Sequence, residues 1–146
     1  MRIVGEWLVC NDGVTRPSLE AKVQAADVSL QRCVVLVDSC ADRTVLGADL
    51  LEDLGFPSIP AHEGMTLQGI TGGCGFVVVR TVVELPCDDG GVANMRGEFA
   101  AFTDAAATDL SILGRDVLNH FDVILSRRRN EVLLLAPNHQ YRVEQV

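Results

Sequence analysis

Apolar and polar residues alternate along much of the chain in short stretches, a pattern typical of strands. In residues 19–26 the apolar positions recur at every second residue, as expected for a strand with one buried face. Helical spacing is found in 48–54 (ADLLEDL), which Gly55 and Pro57 follow, and in 115–120 (RDVLNH). Further strand-length apolar segments lie at 2–10, 31–37, 76–85, 94–102, 110–113, 121–125 and 131–136. The pattern predicts a mainly β domain with two short helices.

The segment 31–37 ends in an uninterrupted apolar run, and Asp38 follows it directly. Such a run predicts a strand that is buried on both faces. An acidic residue at the end of a buried strand is the most informative feature of the sequence. Considered alone, it is more often a turn former or a helix cap.

A glycine-rich segment, 69–75 (GITGGCG), lies near the middle of the chain. Residues 65–69 and 76–85 flank it as the two predicted arms of a long hairpin, with the glycines at its tip. This segment is either a mobile flap or a plain hairpin turn.

Length and charge exclude several classes of protein. A chain of 146 residues predicts a single domain over 1–146. The formal net charge of −8 makes nucleic acid an unfavourable partner, because an acidic surface repels phosphates. The one basic run, Arg127 to Arg129, falls where a turn is expected and indicates a solvated hairpin tip.

The five cysteines are widely spaced and form no C-x-x-C pair, which argues against a zinc site, and their odd number argues against a complete disulfide framework. The three histidines are scattered and are predicted to be surface or structural residues. No metal ion or other cofactor is predicted. The N-terminal residues lack a signal-peptide pattern, and no apolar run is long enough to span a bilayer. We therefore expect a cytoplasmic protein with no membrane partner.

Two segments together carry a family resemblance. Residues 35–46 (VLVDSCADRTVL) resemble the active-site motif of retropepsin-like (retroviral-type) aspartic peptidases, in which Asp-Thr/Ser-Gly-Ala follows hydrophobic residues. Residues 111–118 (SILGRDVL) are similar to the second motif of that family, two hydrophobic residues followed by Gly, Arg and Asp or Asn. The resemblance covers about residues 19–136, with the glycine-rich segment between the motifs.

The resemblance implies a closed, β-barrel-like acid-protease fold with a flap hairpin. It also implies an endopeptidase in which Asp38 is the catalytic residue. Hydrolysis by this route needs two carboxylates that share one proton, and the chain contains a single Asp-Ser element. The expected solution is a homodimer that pairs two Asp38 side chains across a two-fold axis and binds an extended peptide substrate.

The resemblance also implies roles for neighbouring residues. Ser39, Cys40 and Ala41 complete the active-site loop, and the Ser39 hydroxyl is expected to form a hydrogen bond across the axis. Asp42 and Arg115 form an ion pair that is either structural or involved in substrate binding. The remaining implied residues are the flap, at Gly69, Ile70, Thr71, Gly72 and Gly73, and the second motif, at Ile112, Leu113 and Gly114. Hydrophobic substrate pockets are expected from Val45, Leu46, Ile70 and Ile112.

Cys40 departs from the family pattern, which has glycine at this position. The backbone amide is retained, so its hydrogen bond to the carboxylate survives if φ is negative. The thiol either is tolerated, or displaces the paired acids, or makes the site sensitive to oxidation. The alternative to an enzyme is therefore a catalytically impaired dimerisation or peptide-binding module. A third interpretation is a regulatory domain of a larger assembly.

Overall fold

The computed structural model of the chain describes residues 1–57, 59–60, 68–69, 72–73, 75–104 and 110–137. Two helices, α1 (Ala48–Leu54) and α2 (Arg115–Leu118), occur in these ranges. The strands are β1 (Arg2–Val9), β2 (Thr15–Gln24), β3 (Leu30–Val37), β4 (Val45–Leu46), β5 (Ile59–Pro60), β6 (Gln68–Gly69), β7 (Gly72–Gly73), β8 (Phe76–Pro86), β9 (Val92–Phe102), β10 (Ser111–Leu113), β11 (Asp122–Ser126) and β12 (Glu131–Leu135). The mainly β prediction with two short helices is confirmed.

Six strands form a closed ring. They hydrogen-bond in the order β2, β3, β10, β4, β9 and β8, and β8 pairs back onto β2. Most neighbours are antiparallel, but β10 lies parallel to β3 and β4 lies parallel to β9. In the first parallel pair Leu113 lies beside Val37, so both strands end at the same edge of the sheet. The residues that follow them, Asp38 and Gly114, are thereby brought together.

The core fills the inside of this ring from one face of each strand. Leu19, Ala21 and Val23 on β2 are at most 1% exposed, which confirms the alternation expected there. The prediction that β3 is buried on both faces is wrong: Val35 is fully buried, whereas its neighbour Val34 is 38% exposed. Only one face of β3 packs against the core. Because the run is apolar at every position, its alternate residues place apolar side chains on the outer face.

Three strands outside the ring carry both ends of the described chain. The first half of β1 pairs with β12, its second half pairs with β2, and β11 lies at the edge beyond β12. β1 lies tightly against β2 at Gly5, where an added Cβ would be 2.1 Å from the carbonyl oxygen of Ser18. A residue without a Cβ is therefore required at this crossing.

Trp7 fastens the β11–β12 hairpin to β1. Its indole N–H donates to the carbonyl oxygens of Ser126 (3.2 Å) and Glu131 (3.1 Å), on either side of the turn. The guanidinium of Arg127 lies 5.7 Å from the centroid of the Trp7 ring, within the range of a cation–π contact. The predicted arginine turn is confirmed at residues 127–130.

Helix α1 begins and ends where its sequence predicts. Gly55 follows it with φ of 64°, the left-handed conformation that ends many helices and that glycine adopts at little cost. The helix packs against β3 and β9 and buries Leu54, which is 1% exposed. No helix in the described part of the chain is both long and apolar enough to cross a membrane.

Candidate active site

Asp38 lies at the edge where β3 and β10 end, and its backbone and side chain are both held. Its N–H donates to the carbonyl oxygen of Leu113 (3.1 Å), extending the parallel pairing by one residue. Its own carbonyl oxygen accepts from the N–H of Ala41 (3.2 Å), which closes a tight turn. The carboxylate Oδ1 accepts from the N–H of Cys40 (2.9 Å). The half-buried carboxylate of Asp38 is thus fixed in orientation where the loop begins.

Ser39 and Cys40 occupy the outer part of this turn, and both side chains are exposed. Cys40 is not among the residues with positive φ, so cysteine fits the backbone there without strain. The predicted amide contact to Asp38 is therefore compatible with the loss of glycine. Cys33 differs in its environment, since burial raises the pKa of its thiol to about 11. The solvent-facing thiol of Cys40 lies two residues from the candidate catalytic carboxylate.

Gly114 is the point where the two motifs touch. A Cβ added there would lie 2.3 Å from the carbonyl carbon of Arg43 and 2.8 Å from the backbone nitrogen of Thr44. Its N–H donates to the hydroxyl of Thr44 (3.0 Å). The two motifs therefore meet backbone to backbone at Gly114, against residues 43–44 of the loop that follows Asp38.

Asp116 and Thr44 join the loop to α2. One carboxylate oxygen, Oδ1 of Asp116, accepts from the backbone N–H of Thr44 (2.8 Å), from its hydroxyl (2.7 Å) and from the N–H of Val117 (2.9 Å). Thr44 is 1% exposed, so these bonds satisfy polar groups that have no access to water. This arrangement fixes the active-site loop on the helix that follows β10.

Asp42 and Arg115 form the predicted ion pair through Oδ1 of the aspartate and an Nη of the arginine. Both side chains are largely exposed, at 78% and 52%, so the pair adds little stability of its own. The backbone N–H of Arg115 also donates to the carbonyl oxygen of Ala41 (2.8 Å). Loop and helix are therefore joined twice at this point.

Comparison with solved structures identifies the architecture. The retropepsin-like aspartic protease from Rickettsia conorii matches 92% of this chain and 90% of its own length, with a TM-score of 0.59 and 16% identity. The EIAV protease in complex with the inhibitor HBY-793 matches 77% of this chain and 92% of its own, with a TM-score of 0.50 and 20% identity. The chain has the retropepsin-like fold. No protein-family model and no curated protein sequence matches it.

The retropepsin-like fold places two apolar side chains on the same sheet face as Asp38. Leu36 and Ile112 are register partners across β3 and β10, and both are partly exposed. Leu36 precedes Asp38 by two residues, and alternate residues of a strand share a face. Val45 and Leu46, expected in a substrate pocket, are instead 4% and 0% exposed and belong to the core. Leu36, which sequence reasoning missed, shares the outward face with Ile112.

The glycine-rich segment forms a hairpin with a narrower turn than predicted. β6 pairs with β7, so Gly69 lies opposite Gly72, and β8 pairs with β5 through Ile59 and Val78. Gly72 and Gly73, predicted at the tip, therefore belong to the second arm of the hairpin. Residues 65–67 of the predicted first arm lie outside the described residues. Ile70 and Thr71, predicted at the flap tip, lie outside the described residues.

Sequence reasoning also missed the residues that hold the retropepsin-like loop from behind. Thr44, Asp116 and Ser111 are all involved, and the hydroxyl of Ser111 accepts from the N–H of Gly47 (3.0 Å). The available signal was a polar residue next to apolar ones, at Thr44 and at Ser111. The hydrogen-bond partner of Thr44 is 72 residues away in the sequence, and that of Ser111 is 64 residues away. In the described part of the chain, no cluster of three or more His, Cys, Asp or Glu residues could hold a metal ion.

Proposed function

We propose that the chain is an aspartic endopeptidase that works as a homodimer, with one Asp38 from each copy forming the catalytic pair. The observation that supports this most directly is the fixed carboxylate of Asp38, held at 2.9 Å by the Cys40 amide at the end of β3. The fold supports it further, because the two solved neighbours are named as aspartic proteases.

The chemistry explains why a second copy is needed. A peptide bond is hydrolysed when one carboxylate draws a proton from water while a carboxylic acid donates a proton to the scissile carbonyl. Two carboxyl groups that share one proton perform both tasks, since like charges at short distance do not ionise together. Each chain supplies a single such loop. Symmetric pairing of two loops completes the site.

The substrate in this proposal is an extended peptide. A strand-like peptide makes main-chain hydrogen bonds with the protein and places alternate side chains in pockets. The partly exposed pair Leu36 and Ile112 supplies an apolar surface beside Asp38. Asp42 provides a carboxylate for substrate amides, and the hairpin that contains Gly69, Gly72 and Gly73 acts as the flap that closes over the peptide.

Wild-type protein is expected to cleave an unstructured protein substrate between pH 4 and 7, with a bell-shaped pH profile. Asp38→Asn should reduce kcat/KM at least about 10³-fold, because an amide is not a general base. The Asn oxygen still accepts from the Cys40 amide, so circular dichroism spectra of both proteins should coincide. Cleavage that persists in a folded Asp38→Asn protein would refute the proposal.

A catalytically impaired peptide-binding or dimerisation module is the second candidate, and the side chain of Cys40 is the observation that favours it. Two copies related by symmetry bring two thiols next to the paired acids. Cys40→Gly should raise kcat/KM about tenfold by relieving this crowding, the factor that corresponds to ~1.4 kcal/mol. Cys10→Ser, a substitution outside both motifs, serves as the control and should change nothing. A wild-type protein and a Cys40→Gly variant that bind peptides without cleaving them would support the module.

A further inference from the structure

Arg43 ends the active-site loop as an exposed cation. Among the described residues, its guanidinium forms no ion pair and no side-chain hydrogen bond. The adjacent carboxylate, Asp42, is bound by Arg115 instead. Six other described arginines do pair with acids: Arg2, Arg16, Arg32, Arg80, Arg115 and Arg129. Within the described part of the chain, the positive charge of Arg43 is therefore left for a further partner such as a bound peptide.

The backbone places Arg43 close to the catalytic carboxylate. The carbonyl group of Arg43 lies against Gly114, where an added Cβ would be 2.4 Å from its oxygen. The neighbouring carbonyl, that of Leu113, accepts from the N–H of Asp38 at 3.1 Å. Arg43 and Asp38 thus contact consecutive residues of one short segment. Thr44, the next residue, points into the core and is 1% exposed, which anchors the base of the Arg43 side chain.

Arg43 places a positive charge beside the loop of a protein whose net charge is −8. A generally acidic surface repels acidic peptides. The positive charge of Arg43 attracts an acidic side chain only at short range, where this attraction outweighs the repulsion. We propose that Arg43 is a specificity-determining residue that selects peptides with Asp or Glu close to the scissile bond. This inference rests on the proposed peptidase function. In a homodimer two Arg43 side chains flank the paired acids, so the preference applies on either side of the bond.

Guanidinium and carboxylate groups form two parallel charge-assisted hydrogen bonds, which Lys and neutral side chains cannot reproduce. An exposed pair of this kind contributes little, but a bound peptide excludes water from the pair and strengthens it. The expected preference is about tenfold in kcat/KM for a Glu-containing peptide over its Gln twin.

The test uses twin peptides that differ only by Glu, Gln or Lys at one position, which is moved stepwise along both sides of the scissile bond. Wild-type protein should favour Glu over Gln about tenfold at one position or more. Arg43→Gln should bring that ratio to about 1, and Arg43→Glu should reverse it so that Lys is favoured over Glu. Arg96→Glu, on β9, changes the net charge by the same amount as Arg43→Glu and should leave the ratio as in the wild type.

The outcomes separate this inference from the function on which it rests. If wild type and variants cleave the peptides with one unchanged Glu-to-Gln ratio, Arg43 does not select substrate. Selection by Arg43 is also excluded if its variants lose activity toward all twins equally, because that is the signature of a structural role. If wild-type protein cleaves no peptide and matches Asp38→Asn, the proposed function fails and not merely its specificity.

Discussion

Mixing wild-type and Asp38→Asn chains in equal amounts is expected to leave about one quarter of the activity of the same total amount of wild-type chain. Random exchange of subunits gives that fraction of wild-type pairs, and every mixed pair lacks one of the two acids. A protein that is active as a monomer would retain about one half in the same experiment. The measurement is the initial cleavage rate after the chains have been diluted, mixed and reconcentrated.

Two controls make this result decisive. Chains that carry different affinity tags should be captured together after mixing, which proves that exchange has occurred. Arg96→Glu is a distant substitution and is expected to preserve activity. A mixture of this variant with wild type should therefore show the mean of the two parent activities. One half of the activity in a sample with proven mixed pairs would contradict catalysis by paired Asp38 residues.

Gly114→Ala is expected to lower the free energy of unfolding by about 2–4 kcal/mol. Its backbone, with φ of −96° and ψ of −176°, is extended and acceptable to alanine, so conformational strain is not the cause. The cause is the methyl group, which would lie 2.3 Å from the carbonyl carbon of Arg43. Backbone does not yield as a flexible side chain does, so the loop must move. The hydrogen bond from Gly114 to Thr44 and the anchoring of Asp38 on Leu113 weaken together.

Urea unfolding at one fixed protein concentration measures this effect. Gly97→Ala is the matched control, since a Cβ there meets only the Phe99 ring at an ordinary distance of 3.8 Å. That variant should be neutral or slightly stabilised. Equal midpoints for Gly114→Ala and Gly97→Ala would show that the loop accommodates a side chain at the crossing of the two motifs.

The features that the sequence predicted well are those coded locally. The ends of α1 follow from Ala48–Leu54 and the glycine after them, and the buried face of β2 follows from strict alternation. The place of Asp38 directly after β3 was predictable because an acid ends an apolar run. In each case the determining residues are neighbours in the chain.

The features that it missed depend on contacts across the fold. Thr44 and Asp116 are 72 residues apart, and neither residue alone indicates a hydrogen bond between them. Val34 and Val35 look equivalent in sequence, but only Val35 faces the ring interior. The same applies to Val45 and Leu46, which were expected in a substrate pocket but lie in the core beside β9.

The parallel pairing of β3 with β10 also determines how late in synthesis the loop around Asp38 can be anchored. Asp38 is synthesised early, yet the carbonyl that holds its amide belongs to Leu113, and the helix that clamps its loop comes later still. Contacts between such distant segments form slowly, because a long loop must first be closed. A growing polypeptide therefore carries an incompletely anchored loop around Asp38 until α2 has been synthesised.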